Sequence, residues 1–230
     1  MLPKIDTPTF KGKVPSTGKP YTFRPFLVKE EKILMLVTES DNYKEMVEAC
    51  QKVVENCTFG EVKGEDITMF DLQDVFIRIR EKSVGETQEF ILTCGNCDGR
   101  SPWELQLSEL VVQDLDKAKS TTVIQVNDEI AIKLKWPSSS VIKDADETSD
   151  TDLLAKCIEG VVEGEETIDI NDESPEDIEV FLDSLPLDVM ADMRAYFEAM
   201  PIVSHTINYT CRHCDTEQMV EITGDDHFFA

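Results

Sequence analysis

The spacing of apolar residues divides the chain into stretches of helical and strand-like period. Residues 1–26 carry Pro3, Pro8, Pro15, Pro20 and Pro25, which exclude a helix. Two strand-like runs, 9–14 and 21–24, flank the turn Pro15-Ser16-Thr17-Gly18-Lys19, so an extended arm or a β-hairpin is expected. Residues 28–57 read as helical. The first helix, over 29–39, holds Ile33, Leu34, Leu36 and Val37. The second starts at Ser40 or Asp41 and repeats Tyr43, Met46, Val47, Cys50, Val53, Val54 and Cys57 near i, i+3, i+4, i+7. After a linker over 58–66, Leu72, Val75, Phe76 and Ile79 predict a helix over 68–82, with Gly85 placed to end it.

From residue 86 the period shortens to that of strands. Runs at 89–93, 103–107, 123–126 and 130–136 are expected as strands, the last two joined by a tight turn at Asn127-Asp128. Residues 138–150 read as a polar linker and 151–200 as helical again. The expected helices cover 152–162, a segment opened by Ser174-Pro175-Glu176-Asp177 with Ile178, Phe181 and Leu182 on its apolar face, and 187–200 with Val189, Met190, Met193, Phe197 and Met200 inward. Pro201 ends the last, and strand character returns at Ile202.

Two cysteine pairs interrupt these strands, Cys94-Gly95-Asn96-Cys97 and Cys211-Arg212-His213-Cys214. Each sits between one strand-like run and the next, which is the form of half a zinc ribbon. Four thiolates from two such turns suit a tetrahedral zinc ion, and with four protein ligands the site is structural, with no open position for substrate. Paired reduced thiols without metal, a redox dithiol and disulfides are the alternatives, as is His213 replacing one cysteine. The fold expected is α+β: a zinc-ribbon-like β module from 86–137 and 202–230, an acidic linker and inserted helical unit over 138–201, a helical unit over 27–85, and the arm or hairpin over 1–26.

Composition narrows the function. The chain has 230 residues, 41% of them hydrophobic, enough for a real core. Cys50, Cys57 and Cys157 lie in helix-like segments and read as small core residues. No signal peptide or membrane-spanning run is visible, and free thiols fit a reducing cytoplasm. The net charge of −25 opposes binding to nucleic acid, whose phosphates such a field repels. A zinc-ribbon protein of transcription therefore stands as a weaker alternative. Residues 1–60 are nearly neutral, with nine Lys/Arg and eight Asp/Glu, whereas 138–200 hold three against nineteen. That block is a solvated surface or one aimed at a basic partner. His205, His213 and His227 have no evident nucleophile beside them, and no catalytic motif is present, so no enzyme and no small-molecule substrate is expected.

Three stretches carry a family resemblance. They are Leu2-Pro3-Lys4 with Thr7-Pro8-Thr9-Phe10, 14–19 and 23–34, including Phe23-Arg24-Pro25-Phe26; Phe70-Asp71-Leu72-Gln73-Asp74-Val75-Phe76 through Glu86; and Val126-Asn127-Asp128-Glu129-Ile130 through Pro137. Together they resemble the baseplate hub and hub-assembly proteins of T-even-type contractile-tailed bacteriophages. The resemblance implies a non-enzymatic viral protein, either a structural subunit of the hub or an assembly factor such as a transient chaperone absent from the mature virion. It implies other baseplate and hub proteins as partners, and the host cytoplasm during assembly and the tail baseplate as locations. Under it, Phe10, Phe23, Arg24 and Phe26 become candidate docking side chains, with ordinary core packing the alternative for Phe23 and Phe26; so do Phe228 and Phe229 near the C-terminus, with a tail packed back on the ribbon as the alternative. Arg78, Arg80 and Lys82 either pair within the fold or meet an acidic partner.

Overall fold

The computed structural model describes residues 5–38, 42–114, 116 and 122–224. The chain forms two compact units, one from Met1–Gln113 with Ile202–Ala230 and the other from Asp114–Pro201. The first begins with an antiparallel hairpin of β1 (Phe10–Lys13) and β2 (Pro20–Phe23), which sets Phe10 opposite Phe23. Gly12 lets the Tyr21 ring cross the hairpin, since a Cβ there would lie 2.4 Å from the ring. Helices α1 (Val28–Thr38), α2 (Tyr43–Cys57) and α3 (Met69–Ser83) follow. Asn42 caps α2, accepting from the Glu45 amide. Ser40 and Asp41, expected to start this helix, lie outside the described residues.

Helix α3 is the centre of this unit. Leu72, Val75, Phe76, Ile77 and Ile79 are all buried, and the helix touches α2 and β1. Its start is tied to the hairpin by one carboxylate. Asp71 accepts from the Ser16 amide at 2.8 Å, the Ser16 hydroxyl at 2.5 Å and the Thr68 hydroxyl at 2.8 Å. The Pro-rich segment is thus built into the core: Val14, Tyr21, Phe23 and Arg24 are buried. Arg78 bonds Asp74, Glu81 and the Leu107 and Leu110 carbonyls, Arg80 bonds Gln88, and Lys82 bonds Glu81 and Glu86. These three cations are engaged inside the fold.

One buried ion pair organises the entry to α1. Arg24 meets both oxygens of Glu30 at 3.0 and 3.2 Å, and their side chains are 6% and 0% exposed. Remaining Arg24 donors reach the Pro25 and Asn56 carbonyls and the Cys57 sulfur, while Glu30 also accepts from the Leu27 amide. Burial alone pushes the Glu30 carboxyl up, but the Arg24 and Leu27 bonds outweigh it and hold it below its ordinary value.

The chain continues through β3 (Thr87–Thr93), β4 (Arg100–Gln106) and β5 (Val111–Val112) into the second unit. There β6 (Thr122–Gln125), β7 (Ile130–Leu134), β8 (Ile158–Glu163) and β9 (Glu166–Asp169) form one antiparallel sheet in that order. Helices α4 (Ser139–Lys143) and α5 (Asp150–Ala155) lie between β7 and β8, and α6 (Pro175–Asp183) and α7 (Leu187–Glu198) follow β9. Ile132, Leu134 and Ile158 of the sheet pack with Leu154, Leu182, Val189 and Met193, and Trp136 stacks on Tyr196 with centroids 4.0 Å apart.

This unit departs from the sequence reading in three ways. The helix expected over 152–162 stops at Ala155, because the β-branched Ile158, Val161 and Val162 pair with β7 and β9. Gly160 permits the close pairing: a Cβ there would meet the Ile168 carbonyl at 2.6 Å. The stretch 138–150, expected as a linker, contains α4. Strands β6 and β7, expected in the ribbon module with 86–137, instead join β8 and β9, where Ile124, Ile132 and Leu134 find an apolar cover. The chain then returns to the first unit as β10 (Val203–Thr210) and β11 (Glu217–Thr223), which form a three-stranded sheet with β5. No helix among the described residues is long and apolar enough to cross a membrane.

Replacing Glu30 by Gln leaves the Arg24 charge buried without its counter-ion. A loss of about 3–5 kcal/mol is expected in denaturant unfolding. Because the Glu30 carboxyl is depressed, its contribution is full above the unfolded carboxylate value of about 4.3 and fades as pH falls through the folded value. The gap between wild type and Glu30→Gln should therefore close in acid.

Candidate metal centre

The two cysteine pairs form the tips of two hairpins. Strands β3 and β4 pair in register from Thr87 with Gln106 to Thr93 with Arg100, and β10 and β11 from Ser204 with Thr223 to Thr210 with Glu217. The turns that close them share one hydrogen-bond pattern. In the first, the Cys94 amide donates to the Gly99 carbonyl at 3.0 Å and the Asp98 amide to the Cys94 carbonyl at 3.0 Å. In the second, Cys211 donates to Thr216 at 2.9 Å and Asp215 to Cys211 at 3.0 Å. Asp98 and Asp215 both take positive φ, 56° and 54°, a conformation that Asp tolerates better than most residues. Each turn also aims a backbone amide at its first sulfur, Asn96 at Cys94 and His213 at Cys211, both at 3.4 Å.

The fold brings the tips together. Trp103 on β4 meets Tyr209 on β10 with centroids 6.0 Å apart, and the Gln218 side chain accepts from the Gly95 amide at 3.1 Å. The matching third residues of the two turns reach across reciprocally. Asn96 donates to the Cys214 sulfur and the Thr216 hydroxyl, while His213 Nε2 lies 3.2 Å from the Arg100 carbonyl. A carbonyl only accepts, so this ring nitrogen carries the proton. His213 thus links the two turns through this contact. Its ring lies against Gly99, where a Cβ would come within 2.5 Å of Cδ2.

All four sulfurs lie within 4.8 Å of one another, with Cys94–Cys214 at 3.8 Å and Cys97–Cys211 at 3.7 Å. A disulfide requires about 2.0 Å, and all seven cysteines are free. Sulfurs placed about 2.3 Å from a central ion at tetrahedral corners are ~3.8 Å apart. The donor set thus has the size and chemistry to hold one soft or borderline ion such as zinc or iron. Hydrogen bonding with Thr216 and then with Asn96 draws the Cys214 thiol down to about 6. The Gly99 amide favours the Cys97 thiolate, but hydrogen bonding with Cys214 and burial outweigh it and push that thiol up to about 12. Cys94 and Cys211 are fully buried beneath the tips.

The other candidate residues stand apart from this centre. Phe23 and Arg24, expected as docking side chains, are 3% and 5% exposed, so the protein's own core uses them. Phe10 packs on Phe23 and Phe26 on Phe76, each with centroids 5.6 Å apart and each half-buried. Phe228 and Phe229 lie outside the described residues. Sequence reasoning missed the bracing roles of Asn96, His213, Gly99 and Thr216. Their equivalent places in the two repeats were the available signal.

Gly99→Ala should force the His213 ring away and separate the tips. A loss of about 1–3 kcal/mol, as for overpacking, is expected in thermal or denaturant unfolding, whereas Gly95→Ala, with 3.4 Å to its nearest neighbour, should be nearly neutral.

Comparison with curated proteins and with solved structures gives no match. A family model does match, described as T4 bacteriophage base plate protein, and it runs over residues 7–230. That span takes in both hairpin tips and the whole of the second unit, so the chain belongs to the T4 bacteriophage base plate protein family.

Proposed function

We propose that this chain is a non-enzymatic protein of the baseplate hub, working by contacts with other baseplate proteins and braced by one structural zinc ion. The family match over residues 7–230 carries this reading. The resemblance of residues 2–34, 70–86 and 126–137 to hub and hub-assembly proteins favours the hub in particular. For the zinc, the supporting observation is the set of four sulfurs at tetrahedral spacing. Cys94, Cys97, Cys211 and Cys214 would fill every coordination position, leaving none for water or substrate, so the ion would act on stability. Nucleic acid is a poor partner for a chain of net charge −25. The host cytoplasm during assembly and the tail baseplate are the corresponding locations.

A transient assembly chaperone is the second reading. It is favoured by the charge of the second unit, where residues 114–201 hold seven Lys/Arg against 23 Asp/Glu, a surface suited to a soluble, releasable partner. Quantitative peptide mass spectrometry of purified virions and of infected-cell lysate separates the two. A fixed small copy number per virion is the expected result. Abundance in lysate with absence from virions would replace the subunit reading with the chaperone.

The zinc has its own test. Purified protein should carry one zinc per chain by elemental analysis. Cys94→Ser or Cys211→Ser should abolish it and lower the melting temperature, because metal binding free energy is also folding free energy. Acid should release the ion as protons compete for the thiolates. A Cys211→Ser variant that melts with the wild type would count against the site.

A further inference from the structure

We infer that residues 225–230 act as a strap for this chain's own apolar groove between α1 and the end of α3. Phe228 and Phe229 enter the groove, and Asp225 and Asp226 meet Arg80 at its neck. The groove has a volume of about 410 Å³. Leu27, Val28, Met35 and Val84 line it and are between 38% and 72% exposed. Glu30 is the buried residue of α1, so the run Ile33-Leu34-Met35-Leu36-Val37 is more apolar than the packing of that helix uses. An open apolar patch of this kind marks a contact surface.

Position and charge select the occupant. Arg80 lines this groove and also a smaller cleft of about 20 Å³, whose wall includes Ile222, Thr223 and Gly224. That cleft has room for about one water and cannot take a ring. Gly224 is the last described residue, and Asp225, Asp226, His227, Phe228 and Phe229 follow it. Four extended residues reach about 13 Å, comparable with the diameter of a helix, about 10–12 Å. The phenylalanines can therefore pass Arg80 and reach the larger groove. Arg80 also lacks a countercharge. Arg78 and Lys82 on the same helix pair with carboxylates, whereas among the described residues Arg80 bonds the neutral Gln88. Burial draws its guanidinium below its ordinary value. An aspartate at the neck would supply the charge that Gln88 does not. Glu31 also lines the larger groove and would repel the aspartates there, which leaves that space to the rings. A second copy carries the same segment, but one tethered at Gly224 has an effective concentration on the order of millimolar.

Photocrosslinking in the full chain tests the strap. Phe228 is replaced by the photoreactive aromatic p-benzoylphenylalanine, and mass spectrometry maps the products. Crosslinks within one chain to residues 26–38 or 76–84 are expected. Asp225→Lys together with Asp226→Lys should cut their yield by roughly fivefold or more, as should Arg80→Glu. Combining all three changes should restore it, because the charges then match again. Circular dichroism checks that Arg80→Glu is folded. If it is not, the aspartate variant, altered in the strap alone, decides the matter. Crosslinks confined to other parts of the chain would overturn the inference, as would none at all. Products joining two chains would overturn it by assigning the groove to a second copy. A yield that charge reversal leaves unchanged would also overturn it, since Arg80 would then select nothing.

Discussion

The meeting of two turns far apart in the chain constrains everything else in the larger unit. Cys97 and Cys211 are 114 positions apart, yet their sulfurs are 3.7 Å apart. Closing a long loop costs entropy that grows only slowly with length, about 0.6 kcal/mol for each doubling. The intervening chain is therefore affordable if its ends return together. They do so next to the hairpins: β5 pairs with β10, and the Gln113 amide donates to the Ile202 carbonyl at 2.9 Å. The 88 residues between them fold into a unit with its own sheet and core. The hairpin tips then meet through Asn96, His213, Gln218 and the four sulfurs, which makes β3, β4, β10 and β11 one module despite their separation in sequence.

Polarity is divided between the units. The first buries charge where it must. Arg24 and Glu30 sit in the core as a two-pronged pair, and Asp71 joins hairpin to helix with three donors on its oxygens. Removing one partner of such a pair costs more than the pair itself contributes, so these contacts specify one arrangement of the N-terminal segment. In the second unit most of the described acids are exposed, around a compact apolar core between sheet and helices.

How much of this was legible depended on whether the signal was local. The cysteine turns announced themselves, because thiolate chemistry demands a short spacing and each pair lies between strand-like runs. Helix α3 was equally plain from Leu72, Val75, Phe76 and Ile79. Strand β8 was hidden, because Cys157, Ile158, Val161 and Val162 also fit a helical period after Leu154. The better clue was Gly164, whose φ of 62° turns the chain from β8 into β9. The fate of Arg24 was hidden for a different reason. Its partner Glu30 is six residues on, across a turn, and only the start of α1 at Val28 brings the two together. Within the Phe-Arg-Pro-Phe segment, Phe23 thus lies in the core and Arg24 in the clamp.

The central claim is that four thiolates from the two turns share one ion. X-ray absorption at the zinc edge, on protein purified without added metal, examines that shell directly. The account predicts a single shell of four sulfurs at about 2.3 Å. A shell containing nitrogen or oxygen ligands at about 2.0–2.2 Å, or a folded protein that carries no zinc, would contradict it.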